Sequence, residues 1–234
     1  MTQKKVALIT AASRGIGAAC ARELAGRGYE VVLLARSPEV EVLARELGGR
    51  AVLGSVTEPE DLQHLVETAL EEYGRVDGAV INTGHPPKGE LLEISDEEWH
   101  QGLDLLLLPA VRLARLLTPV MERQGGGSLV NISTAGAVEP SLKFPVSSAL
   151  RAALAAFTKL SADRFGRAGI RFNSVLPGFA DSYPVDDATR ATIPLGREAE
   201  VAEVARAVAF LIADEGSYIT GQSLRVDGGM TRSL

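Results

Sequence analysis

One cysteine, three histidines and one tryptophan are all that 234 residues provide of those types, and aromatic residues make up only 5%. The lone cysteine excludes an internal disulfide, and Cys20, within Ala18-Ala19-Cys20-Ala21, reads as a small buried residue of a helix. That usage fits a cytoplasmic chain, and no metal site is expected. Positive charge is also scarce. A net charge of −6 gives no basic footprint for DNA or RNA, so no nucleic-acid partner is expected. Long apolar runs are missing too. The most apolar stretch, Leu103 to Leu117, is interrupted by Asp104, Pro109, Arg112 and Arg115, which excludes a membrane span. The start, Met1-Thr2-Gln3-Lys4-Lys5, leads straight into an apolar strand without a small-residue cleavage site, so no secretory leader is expected. What is present is a core: 46% hydrophobic and 23% charged residues argue against disorder.

Apolar runs at Val6–Ile9, Val31–Leu34, Ala51–Leu53, Val76–Ile81, Ser128–Ile132, Ile170–Val175 and Ser223–Val226 alternate with helical stretches. Several are apolar on both faces, as strands between two helix layers must be. Alternation of this kind implies βαβ units with right-handed crossovers. The expectation is an α/β, doubly wound, Rossmann-type three-layer fold with a seven-stranded, mostly parallel sheet, built as a single domain over residues 1–234. Ser37-Pro38 marks a helix start by an N-cap and a proline at the first helical position. Thr57-Glu58-Pro59-Glu60 and Ser95-Asp96-Glu97-Glu98 read as capping boxes. Ala149, Ala152, Ala153 and Ala156 give the helix Ser147–Phe165 a small-residue face, and Leu103–Leu117 presents a leucine surface; either serves a subunit contact or an intrachain one.

After the first strand comes Thr10-Ala11-Ala12-Ser13-Arg14-Gly15-Ile16-Gly17, then an alanine-rich helix. Glycines in a strand–turn–helix connection let the backbone approach a pyrophosphate, which the exposed amides and dipole of the helix start attract. The second strand ends on neutral Ala35 rather than the carboxylate that accepts from the ribose hydroxyls of NAD, and Arg36 follows. Arg14 and Arg36 together suit the extra phosphate of NADP, with NAD as the alternative cofactor.

These residues resemble the short-chain dehydrogenase/reductase family along practically the whole chain. Thr10-Ala11-Ala12-Ser13-Arg14-Gly15-Ile16-Gly17 is similar to the family's glycine motif with Ala11 in place of the first glycine. Ile81-Asn82-Thr83-Gly84 resembles the motif ending the fourth strand, and Asn131-Ile132-Ser133-Thr134 the end of the fifth. Pro177-Gly178 and the run Tyr218 to Gly229 match later signatures. The resemblance implies a cofactor set of Thr10, Ser13, Arg14, Gly15, Ile16, Gly17, Arg36, Ser55, Val56, Asn82, Gly84, Arg151, Pro177, Gly178 and Ser182. It also implies a homotetramer, alternatively a homodimer.

The family's chemistry uses a tyrosine, a lysine one helical turn later, an upstream serine and an asparagine in the preceding helix. Those positions fall here on Ser147, Arg151, Thr134 and Leu106. A serine hydroxyl is a far weaker acid than a phenol, arginine holds its proton at neutral pH, and leucine removes an amide from the relay. His85, directly after Asn82-Thr83-Gly84, is the candidate replacement acid/base because imidazole titrates near neutrality. The catalytic candidates are thus Thr134, Ser147, Arg151 and His85, with Asp181 a weaker one; Lys143, His64 and His100 read as surface or structural. Substrate access runs past Phe179 to Gly196, a short stretch that suits a compact polar substrate. The leading expectation is hydride transfer between NADP(H) and a small polar carbonyl or alcohol. The alternatives are a catalytically inactive dinucleotide-binding regulator or scaffold, and a non-redox lyase.

Overall fold

The computed structural model describes residues 3–233. Seven strands form one sheet: β1 Val6–Thr10, β2 Glu30–Ala35, β3 Arg50–Leu53, β4 Gly78–Ile81, β5 Gly127–Ile132, β6 Ile170–Pro177 and β7 Ser223–Val226. Their spatial order is β3-β2-β1-β4-β5-β6-β7, and every neighbouring pair is parallel. The expected α/β three-layer fold is therefore present. The strand order reverses between β1 and β4, which opens a crevice beyond their carboxyl ends, where sheets of this kind receive ligands.

The helices are α1 Gly15–Gly26, α2 Glu39–Leu47, α3 Pro59–Tyr73, α4 Asp96–Leu106, α5 Leu108–Gln124, α6 Pro145–Phe165, the single turn α7 Asp187–Arg190, and α8 Val201–Ile212. Val6 to Ile9 and Val31 to Leu34 are completely buried, because alternate side chains enter two separate cores. One core joins Leu8, Val32 and Leu129 to Leu62, Leu65, Leu113 and Leu117 of α3 and α5. The other joins Ile9, Leu33 and Val130 to Leu24 of α1 and to Val204, Val208 and Leu211 of α8. Burying each such side chain contributes about 1.5–3 kcal/mol before entropy is counted.

Helix starts follow the sequence unevenly. Ser95 caps α4 as expected: its hydroxyl accepts from the Glu98 amide while Glu98 accepts from the Ser95 amide. The capping box expected at Thr57 does not form. Pro59 stands at the first turn of α3, which makes Glu58 the N-cap, and the Thr57 hydroxyl bonds Ser55 and Glu58 instead. At α2 the Pro38 position already has helical dihedrals, and the helix begins one residue later at Glu39. The leucine-rich stretch is two helices rather than one, broken at Leu107 just before Pro109. Proline has no amide to continue the ladder. Among the described residues, no helix is long and apolar enough to cross a membrane.

Candidate functional site

The turn between β1 and α1 is held open by backbone geometry. Gly15 sits at φ +58°, and a Cβ on Gly17 would lie 2.3 Å from the Ala11 carbonyl oxygen. Neither position accepts a side chain without distortion. Ala11, standing where the related motif has glycine, takes φ +48°, a left-handed conformation that costs a non-glycine residue about 1–2 kcal/mol. The turn is braced from β4. Asn82 donates through its side-chain amide to the Ala11 carbonyl, 3.3 Å, and Thr10 both donates to the Asn82 carbonyl, 2.7 Å, and accepts from its backbone amide, 2.9 Å. Thr10 is buried, so its hydroxyl holds the two central strands together rather than facing the crevice.

Arg14 and Arg36 are exposed and make no ion pair with any carboxylate among the described residues. Ala35, the last residue of β2, is buried, and no acidic side chain replaces it. The free Arg36 guanidinium directly after a neutral strand end fits an adenosine carrying a 2′-phosphate, while the charge of Arg14, on the glycine turn, also reaches His85. Ser55 is half-buried and takes the Asp61 carboxylate on its amide at 2.7 Å; Val56 is buried. Ser182 lies over the turn from the far side: a Cβ on Gly15 would meet the Ser182 Cβ at 3.4 Å. Gly178 packs against Asp227 after β7, and Pro177 closes β6. The glycine motif, Asn82, the Pro177-Gly178 bend and Ser182 therefore meet at one end of the sheet, and the residues present fit NADP(H).

Thr134 follows β5, and Ser147 and Arg151 lie one turn apart on α6. Gly136 keeps space here: a Cβ on it would come 3.3 Å from the Thr134 hydroxyl and 3.2 Å from that of Ser148. Ser148 itself accepts from the Ser141 amide, which shapes the loop. Ser147 is buried to within 9% and Leu106 to within 2%, the latter inside α4.

Arg151, at the position that the family resemblance gives to the lysine, is buried, at 6% exposure. Its guanidinium donates to the Ile132 carbonyl at the end of β5 and to the Thr83 hydroxyl, 3.4 Å, after β4. No carboxylate pairs with it, and its Nε has no partner. Burial pulls its pKa down to about 10. A buried cation resting on two neutral oxygens is an arrangement that favours an anion or a polyhydroxyl ligand nearby.

His85 stands on the loop after β4. Its ring meets Tyr183 at 5.3 Å between centroids, tilted by 48°. Its pKa is lowered by partial desolvation first, then by the positive charges of Lys88, Arg151 and Arg14. The Lys88 ammonium in turn lies 4.9 Å from the Phe144 ring centroid and 5.5 Å from that of Tyr183. Lys88, Phe144, Tyr183 and Thr83 are the residues that sequence reading missed. No lysine follows Tyr183 one helical turn later in the sequence; the lysine beside it arrives from a different loop.

Other candidates move away from the site. Asp181 accepts from the Val201 amide at the start of α8, 3.1 Å. His64 lies on α3 and His100 on α4. Among the described residues, no three histidine, cysteine or acidic side chains converge on a point that would hold a metal. A surface cavity of about 650 Å³ lined by Lys5, Asp77, Arg171 and Asp214 lies at the opposite, amino-terminal edge of the sheet and contains none of these residues.

With this geometry in view, a family model described as enoyl-(acyl carrier protein) reductase matches residues 10–231. The 3-oxoacyl-[acyl-carrier-protein] reductase FabG of Escherichia coli (strain K12) is 35% identical, with 97% of each chain covered. The chain belongs to the short-chain dehydrogenase/reductase family. The cis-4-hydroxycyclohexanecarboxylate dehydrogenase of Sinomonas cyclohexanicum is also 35% identical over 97% of each chain. L-sorbose reductase from Gluconobacter frateurii, solved with NADPH and L-sorbose, superposes with a TM-score of 0.90 at 31% identity, covering 99% of this chain and 98% of its own. Acetoin dehydrogenase from Enterobacter cloacae gives a TM-score of 0.91 at 30% identity, covering 98% and 96%.

Proposed function

We propose that this chain is an NADP(H)-dependent oxidoreductase acting on a small polar carbonyl or alcohol, and that it works through an altered catalytic set. The single observation that carries the reading is the cofactor end: a glycine turn in left-handed geometry at Ala11 and Gly15 that bears the unpaired Arg14, with the unpaired Arg36 directly after a strand end that lacks a carboxylate. The relatives include reductases and dehydrogenases of compact hydroxylated molecules, one of them solved with NADPH.

When bound, NADP(H) supplies or accepts the hydride. Arg14 and Arg36 hold its phosphate, and the amides from Ser13 through Ile16 to Gly17 hold its pyrophosphate. Ser55 and Val56 bound the adenine side; Asn82 and Gly84 line the floor; Pro177, Gly178 and Ser182 cover the nicotinamide side. Arg151 would hold the nicotinamide ribose and add positive potential at the reacting carbonyl. Thr134 and Ser147 donate to the carbonyl oxygen and stabilise its developing charge. His85 delivers the proton during reduction and takes it during oxidation.

In this reading residues 1–234 form one dinucleotide-binding domain. The exposed alanines of α6, Ala149, Ala152, Ala153 and Ala156, support assembly into a homotetramer, with a homodimer the smaller option, in the cytoplasm.

The test is turnover of a broad panel of carbonyls and alcohols followed at the nicotinamide absorbance, in wild type and in His85→Ala. The expected result is turnover that drops about a hundredfold or more in the variant, the lower range for a proton-transfer group. Tight NADPH binding with no turnover across the panel would favour a regulator or scaffold instead.

A further inference from the structure

Lys88, on the loop after β4, has no ion-pair partner within 4.0 Å among the described residues, the nearby Glu90 and Glu93 included. The acids of the substrate loop are committed internally. Asp181 caps α8, and Asp186 accepts from the Thr189 amide at 2.7 Å. Asp187 and Glu198 both pair with Arg190. On the facing loop, Glu139 accepts from the amides of Arg232 and Ser233. Of the cations, Arg14 and Arg36 serve the cofactor in the function proposed above, and Arg151 is buried on neutral oxygens.

Lys88 is left. Unpaired, it is still not adrift, because its ammonium is seated against Phe144 at the start of α6 and Tyr183 of the substrate loop. Cation–π contacts of this kind hold a charge in place while leaving its hydrogen-bond donors free. The two rings belong to the two loops that carry Ser147 and Ser182 to the site, so the ammonium stands at the mouth between them. The shift at His85 agrees with this placement, since Lys88 is the foremost charge acting on it.

We infer that the carbonyl substrate is a carboxylic acid whose carboxylate is held by Lys88 at the mouth of the site, its carbonyl lying deeper against Thr134 and Ser147. This rests on the oxidoreductase reading and narrows its substrate class. A neutral sugar or diol leaves Lys88 without a partner; an oxo acid gives it one and positions the carbonyl by two points. A charge-assisted hydrogen bond of this kind is worth about ten- to a hundredfold in affinity.

The experiment compares kcat/KM for oxo acids and their methyl esters with NADPH, in wild type, Lys88→Gln and Lys88→Arg. Wild type should prefer the acid over its ester by at least about tenfold; Lys88→Gln should collapse that ratio toward one, and Lys88→Arg should keep most of it. A wild-type ratio near one, or a ratio unchanged in Lys88→Gln, overturns the inference while leaving the oxidoreductase reading intact. A second readout needs no turnover. With NADP bound, the acids should slow acetylation of Lys88, read by peptide mass spectrometry, and the esters should not. Equal acetylation with and without the acids also overturns it. Acid protection without any turnover would keep the anion site and defeat the oxidoreductase reading instead.

Discussion

Replacing Arg151 by methionine should make the cofactor-free protein more stable and a poorer binder of NADPH. The guanidinium is fully buried with no carboxylate partner, and burial brings its pKa to about 10. Because the native state disfavours the charged form, the charge opposes folding at every pH below that value, and the stability would recover only in strong alkali. The lowering corresponds to about 3 kcal/mol. Against it stand two hydrogen bonds, to the Ile132 carbonyl and the Thr83 hydroxyl, together contributing about 2 kcal/mol net. A straight apolar chain of similar length should therefore gain about 1 kcal/mol, or about 2–4 °C in Tm for a chain of this size. Urea unfolding without ligand, at matched protein concentration because assembly also shifts apparent stability, measures it. Saturating NADPH should close or reverse the gap, since in the proposed function only the wild type has a cation to place on the ribose. A ligand-free Arg151→Met protein less stable than wild type by 1 kcal/mol or more would refute the reasoning.

Other consequences follow from the same geometry. Ala11→Gly relieves a left-handed alanine at φ +48°, but it also adds unfolded-state entropy; the net change should lie between zero and about 1 kcal/mol of stabilisation, and clear destabilisation in urea would contradict the strain. Arg36→Ala should weaken NADPH binding about tenfold and leave NADH binding unchanged; equal NADPH affinity by calorimetry would remove Arg36 from the phosphate site. With three histidines in the chain, NMR titration can follow His85 directly. Its midpoint should lie below the ordinary histidine value and rise in Lys88→Gln, which removes the foremost neighbouring charge. Since the native pKa is depressed, His85 supports stability most fully above the unfolded histidine pKa and loses that support as pH falls. A midpoint that stays or drops in Lys88→Gln would contradict the placement of that lysine.

The sheet was legible because its strands are apolar on both faces, and Val6–Ile9 or Val31–Leu34 admit no other reading. The glycine turn was legible because its geometry is local: a handful of adjacent residues make both the bend and the helix start. Ser95 worked for the same reason. Thr57 failed because Pro59 displaced the helix start by one residue, a competition between two local signals that sequence alone does not rank. The carbonyl end was harder. Lys88, Phe144 and Tyr183 come from three loops after β4, β5 and β6, and their meeting depends on strand order rather than on spacing. Burial of Arg151 was hidden likewise, since a charged residue in an alanine-rich helix suggests a solvent face until the neighbouring strand ends are in place.

The most direct test of hydride transfer through this altered site uses NADPH with both hydrogens on the reactive carbon of the nicotinamide replaced by deuterium. Incubated with the carbonyl substrates that the panel identifies, the protein should place the deuterium on the carbinol carbon of the product, with loss of nicotinamide absorbance in equal amount. Deuterium that remains wholly on the cofactor, in a protein that binds NADPH tightly, would contradict the account.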